Sequence, residues 1–153
     1  GGSVGGRTSR LHVALVRSGL ASSAYASCRL AAEPTLLTAG ATVCEGVDLG
    51  RVEEALLREV EGLAERPPTD HEMKKARCQL RAAFAYAWDG ATAVAGLTTV
   101  AEAICGWRWL EDYVERLEAV SADDVQRVAA AYFKADNRTV GQFIPTCKGG
   151  GAR

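Results

Sequence analysis

The sequence predicts an α+β domain in which an antiparallel sheet is covered on one face by helices. Three observations carry this expectation. Two extended runs of mostly small residues, Leu20 to Ala31 and Leu36 to Cys44, are joined by a short Ala-Ala-Glu-Pro turn, which predicts an antiparallel pair. From Asp48 to Tyr132 apolar residues recur at helical spacing between recognisable caps and breaks. A last extended run, Arg138 to Ile144, precedes Pro145 and predicts a third strand.

The elements follow in order. A glycine-rich lead opens into a helix whose Leu11, Ala14, Leu15 and Val16 crowd one face, and Gly19 ends it. After the two strands, Asp48 is placed to cap a helix on which Val52, Leu56, Val60 and Leu63 share a face. Pro67-Pro68 ends that helix. Thr69 and Glu72 then spell a capping box, and Met73, Ala76, Leu80, Ala83, Phe84 and Ala87 line the face that follows. Asp89-Gly90 breaks the chain, a helix from Ala91 to Cys105 follows, and Gly106 ends it. Trp107, Leu110, Val114 and Leu117 continue at helical spacing as one element. Ser121 with Asp124 opens a last capped helix carrying Val125, Val128, Ala129 and Tyr132. The expected order is therefore helix, two strands, five helices and one strand, with residues 1–145 as one domain and 146–153 as a disordered glycine-rich tail.

Composition narrows the functions. The chain has 153 residues, 48% hydrophobic and 24% charged, with a formal net charge of −1. That balance gives no electrostatic reason to expect nucleic acid or an anionic membrane as partner. Basic residues are scattered along the chain with no aromatics interleaved as a stacking platform would require. The longest weakly polar stretch, Ala91 to Ile104, is too short to span a bilayer and contains Glu102, so no membrane span is expected. No signal-peptide pattern is read at its start, which leaves bacterial periplasm, cytoplasm and organelle all open. Five cysteines, an odd number with no C-x-x-C, read as four buried small apolar residues and a tail thiol, Cys147.

Candidate chemistry is sparse. Zinc in a hydrolase needs about three protein ligands and an open position. The chain has two histidines, His12 and His71, on separate predicted helices, and Glu72 reads as the capping-box residue, so no metal site is expected in this chain. Gly1 to Thr8 reads G-x-x-x-x-G-R-T, close to a phosphate loop, but Arg7 replaces the lysine and no strand precedes it. It reads instead as a lead into the first helix with Thr8 or Ser9 as cap. Asp123 and Asp124 are adjacent at a helix start and serve its dipole. No G-x-S-x-G elbow is present, and Trp88, Trp107 and Trp109 are expected to pack helices.

Three stretches together resemble a known family. They are Gly5-Gly6-Arg7-Thr8-Ser9-Arg10-Leu11, running on to Gly19-Leu20-Ala21-Ser22-Ser23; Thr69-Asp70-His71-Glu72-Met73-Lys74-Lys75-Ala76-Arg77; and Val120-Ser121-Ala122-Asp123-Asp124-Val125-Gln126-Arg127-Val128-Ala129 with Asn137-Arg138-Thr139-Val140-Gly141. In order and spacing they are similar to the non-catalytic, C-terminal-type half of insulinase/pitrilysin-like, processing-peptidase-like zinc metallopeptidases. The resemblance implies an α/β roll that lacks the family's first strand or strands and helix. It implies a zinc metalloendopeptidase assembly whose H-x-x-E-H motif and zinc are supplied by a catalytic domain or subunit, with this chain enclosing the peptide substrate and inactive alone. The alternative that the family offers is a proteolytically inactive structural or assembly subunit. The glycine-rich loop around Gly5 and Gly6 would help handle substrate. In active relatives an arginine and a tyrosine in "L-R-x-x-G-L-A-Y" steady the tetrahedral intermediate. Aligned on Gly19-Leu20-Ala21, this chain has Val16 and Ser22 there. Arg17 and Tyr25 lie nearby but off-register, which implies substrate contacts and no catalytic role.

Overall fold

The computed structural model describes residues 8–29 and 31–144. The tail expected at 146–153 lies outside them, as do Gly5, Gly6 and Cys147. The first helical element is His12–Val16, a π-helix. The Ser9 hydroxyl accepts the His12 N–H at 3.3 Å, as the expected cap should, and the Ser9 carbonyl accepts the Val13 N–H at 2.9 Å. The turn then widens, so that the Arg17 N–H reaches five residues back to the His12 carbonyl at 3.0 Å. Gly19 has φ 78°, a left-handed conformation that costs glycine little, and there the chain leaves the helix for the sheet.

Strands β1, Ala21–Cys28, and β2, Leu37–Val43, form an antiparallel two-stranded sheet. Ala24 pairs with Ala41, Tyr25 with Gly40 and Ser27 with Thr38. An irregularity between Ala21 and Ser23 lets both Ala21 and Ala24 face the helices despite their odd spacing. Leu15, Ala21 and Val52 are buried together, with Leu11, Leu20, Val43 and Leu56 packed around them. Complete burial of Leu15 is worth roughly 2 kcal/mol. By strand alternation the other face carries Ser23, Tyr25 and Ser27 against Thr42, Gly40 and Thr38, a polar surface.

The helices are α1, Leu49–Glu61; α2, Asp70–Ala87; α3, Ala91–Ile104; α4, Tyr113–Ala119; and α5, Ala122–Tyr132. Their caps are those the sequence announces. Asp48 accepts the Arg51 N–H at 3.0 Å, and Thr69 with Glu72 and Ser121 with Asp124 each form a reciprocal capping box. The Asp124 carboxyl is held down at about 2, chiefly by the Ser121 hydroxyl and then by the Ser121 N–H. Phe84 stacks on Tyr113 at 4.6 Å and meets Trp88 edge-on at 5.7 Å, while Trp109 lies 5.1 Å from Tyr113. These rings join α2 to α4 and the turn before it, the packing role expected of Trp88 and Trp109. Helix α5 returns to the end of α1, where Gln126 donates to the Ala64 carbonyl at 2.8 Å.

Three expectations are corrected. Residues 138–144 form no strand. Neither strand of the hairpin pairs with them, and they run beside α1 instead, held by an Arg138–Glu61 ion pair and a Gln142–Glu53 hydrogen bond of 2.7 Å. Both outer edges of the hairpin are open among the described residues, but the segment lies against α1 and pairs with neither, and strand propensity without pairing makes no strand. The element expected from Trp107 to Leu117 is two: a 3-10 turn, Trp107–Leu110, and then α4. Gly106, at φ 85°, enters that turn, the Glu102 carboxylate accepts the Trp107 N–H at 2.9 Å, and Leu110 is buried. The cysteines are not core residues either. Cys28, Cys78 and Cys105 are exposed and Cys44 is half-buried, because three of them fall at a strand end, a groove wall and a helix end.

Candidate functional site

The densest polar constellation joins the first and second sequence motifs. Arg10 precedes the π-helix, and its guanidinium grips Glu72 with two hydrogen bonds, Nε to Oε1 at 2.7 Å and Nη2 to Oε2 at 2.8 Å. It also donates to the carbonyls of Arg66 and Pro67 at 2.8 and 3.0 Å. A planar fork suits this bidentate geometry. Glu72 meanwhile accepts the Thr69 N–H at 2.8 Å as the capping-box residue. One carboxylate therefore caps α2 and ties the start of the chain's first helix to the α1–α2 connection. Its carboxyl is lowered from 4.5 to about 2, first by the Arg10 hydrogen bond, against the opposing effect of burial. Arg10 is raised in turn, with Glu72 the leading cause. Sequence reading assigned Glu72 to the cap and gave Arg10 no role. The pairing was invisible because the two residues are 62 positions apart.

Arg17 follows the π-helix and is exposed. Among the described residues its side chain makes no hydrogen bond or ion pair. Tyr25 lies mid-way along β1 on the face turned from the helices, 44% exposed. Its ring covers Gly40 on β2: a Cβ at Gly40 would sit 2.7 Å from the Tyr25 hydroxyl and 2.8 Å from the ring edge. An aromatic ring shielding a cross-strand glycine is a packing device for a hairpin. Arg17 and Tyr25 form no hydrogen bond with each other. Val16 is half-buried and Ser22 donates to the Thr42 carbonyl at 3.2 Å, so the positions where relatives place the arginine–tyrosine pair are occupied by a packing residue and a sheet contact.

His12 sits in the π-helix and His71 on the exposed first turn of α2. Among the described residues no group of three or more His, Cys, Asp or Glu side chains gathers as a metal site. No described helix is long and apolar enough to cross a membrane.

With the geometry in place, comparison with known proteins is direct. Residues 4–80 match the family model described as the peptidase M16 inactive domain. The chain is similar to a candidate zinc protease of Bordetella pertussis, with 31% identity and a TM-score of 0.81 over 92% of this chain and 78% of that one. It is similar to the inactive peptidase domain of a candidate zinc protease of Bordetella parapertussis, at 30% identity and a TM-score of 0.82, over 93% of this chain and 78% of that one. A protease of Helicobacter pylori shares the fold at 24% identity and a TM-score of 0.76; 84% of this chain covers 32% of it. No curated protein matches the chain.

Proposed function

Because the chain belongs to the inactive domain of the peptidase M16 family, we propose that it is the substrate-enclosing, non-catalytic half of a zinc metalloendopeptidase. The H-x-x-E-H motif, the zinc and the water it activates would come from a catalytic domain or subunit. The observation that carries this reading is the match in fold to the inactive peptidase domain over 93% of the chain. An uncovered apolar helix supports it. Helix α3 is apolar apart from Glu102 and its threonines, yet Ala101 is its one buried residue. Apolar helices of this kind are ordinarily covered. Within the assembly Arg17, exposed and without a side-chain hydrogen bond among the described residues, would hold a substrate carbonyl or carboxylate. Tyr25, committed to Gly40, would contribute surface to the substrate chamber. The glycine-rich segment with Gly5 and Gly6 would handle substrate as the family resemblance implies.

The test is reconstitution. The chain alone, an H-x-x-E-H domain or protein from the same genome, and their mixture are assayed on a quenched peptide with and without chelator, and zinc is measured after dialysis. The expected outcome is chelator-sensitive cleavage by the mixture only, with no stoichiometric zinc in this chain. Full activity of the catalytic protein alone would assign the chain to the structural or assembly role. One tightly held zinc per chain, or cleavage by the chain alone, would overturn the reading.

A further inference from the structure

We propose that the groove between α2 and α4 is a docking site for an acidic, amphipathic segment of a protein partner. Lys74, Arg77 and Arg81 recur at i, i+3 and i+7 and therefore share one face of α2. They line a groove of about 1010 Å³ whose opposite wall is formed by Val114 and Glu118 of α4, with Ala82, Phe84 and Ala85 supplying apolar surface. Three cations face one carboxylate. Arg81 bonds Glu118 at 2.9 Å, and Arg77 donates through Nη2 to the Val120 carbonyl at the end of α4, at 2.7 Å. Lys74 has no ion pair among the described residues.

These features select the occupant. An excess of positive charge asks for carboxylates. The apolar surface between them would be wasted on a free anion. Nucleic acid is disfavoured because Phe84, the groove's aromatic residue, already stacks on Tyr113. A peptide segment with carboxylates about one helical turn apart and an apolar side chain between them matches both the charge and the floor. Glu118 holds Arg81 in the free protein and competes with the incoming carboxylate for it.

The experiment follows a dye-labelled peptide of repeated Glu and Leu by fluorescence anisotropy against the full chain at low ionic strength. Saturable binding is expected, about tenfold weaker when the peptide's Glu are replaced by Gln and similarly weaker for Lys74→Ala/Arg81→Ala. Lys74→Gln, at an exposed position, keeps the test interpretable should the double variant misfold, and it too should weaken binding. Glu118→Gln should tighten it by releasing Arg81, whereas Glu45→Gln, the same charge change at an exposed position outside the groove, should not. The proposal is overturned by absence of saturation or by indifference to Lys74→Gln. It is equally overturned by binding to phosphatidylserine vesicles as tight as to the peptide, or by displacement with inorganic phosphate at concentrations that leave ionic strength unchanged. None of these results depends on the chain meeting a zinc-bearing partner.

Discussion

Removing Arg10 tests a bidentate ion pair between residues 62 positions apart. Arg10→Ala deletes the bidentate pair with Glu72 and the donations to the Arg66 and Pro67 carbonyls. Lowering of the Glu72 carboxyl from 4.5 to about 2, at about 1.36 kcal/mol per unit, corresponds to an unscreened value of about 3.4 kcal/mol. The side chains are 28% and 35% exposed, so solvent screening reduces this to roughly 1.5–2 kcal/mol. The rise of Arg10 reports the same contact and is not added. Part of the lowering belongs to Thr69 and survives the substitution, while the two lost carbonyl contacts act in the other direction, so about 2 kcal/mol is expected for Arg10→Ala. Urea unfolding of the parent, Arg10→Ala, Glu72→Gln and the double variant isolates the coupling. The folded carboxyl lies below its unfolded value, so its contribution is complete above pH about 4.5 and is lost as pH falls toward about 2. Arg10→Ala should therefore flatten the fall in stability across that window. A coupling below about 0.5 kcal/mol, in the range of an ordinary surface pair, or an unchanged pH profile, would refute the reasoning.

The remaining predictions concern the hairpin, a cap and the substrate chamber. Gly40→Ala forces the Tyr25 ring aside and should destabilise the parent by about 1 kcal/mol; in a Tyr25→Ala background the same change should be neutral or stabilising, and thermal melts of the four proteins read the sign change. Asp48→Ala removes the acceptor for the Arg51 N–H and should cost about 1 kcal/mol by urea titration. In the reconstituted peptidase, Arg17→Ala should raise KM and leave kcat nearly intact, and Tyr25→Phe should change neither; a drop of about a hundredfold in kcat, about 2.7 kcal/mol, would make the two a transition-state pair after all.

Local chemistry made most of the elements legible in the sequence. Caps and breaks act within a few residues, so Asp48, Thr69 with Glu72, Ser121 with Asp124, and Gly19 announce helix ends that the structure reproduces. The hairpin was legible for the same reason, since its two runs are separated by one short turn. The family, too, was legible from motif order, because the Arg10 and Glu72 stretches are kept apart by a defined length of chain. What local chemistry could not decide was whether an extended run finds a partner. Arg138 to Ile144 has the residues of a strand, but hydrogen-bonded pairing needs a free edge at the right place, and that is a property of the assembled fold.

The sequence by itself determined the capped starts of α1, α2 and α5 and that a hairpin follows the first glycine stop. Only the tertiary structure decided what each polar side chain does there. It made Glu72 at once a helix cap and the anchor of Arg10, committed Tyr25 to covering Gly40, and set Glu118 of α4 against the cations that share one face of α2. Capping reaches one turn and is written in neighbouring residues. Ion pairs, ring packing and grooves join residues tens of positions apart, and their geometry exists only once the helices and the hairpin have packed.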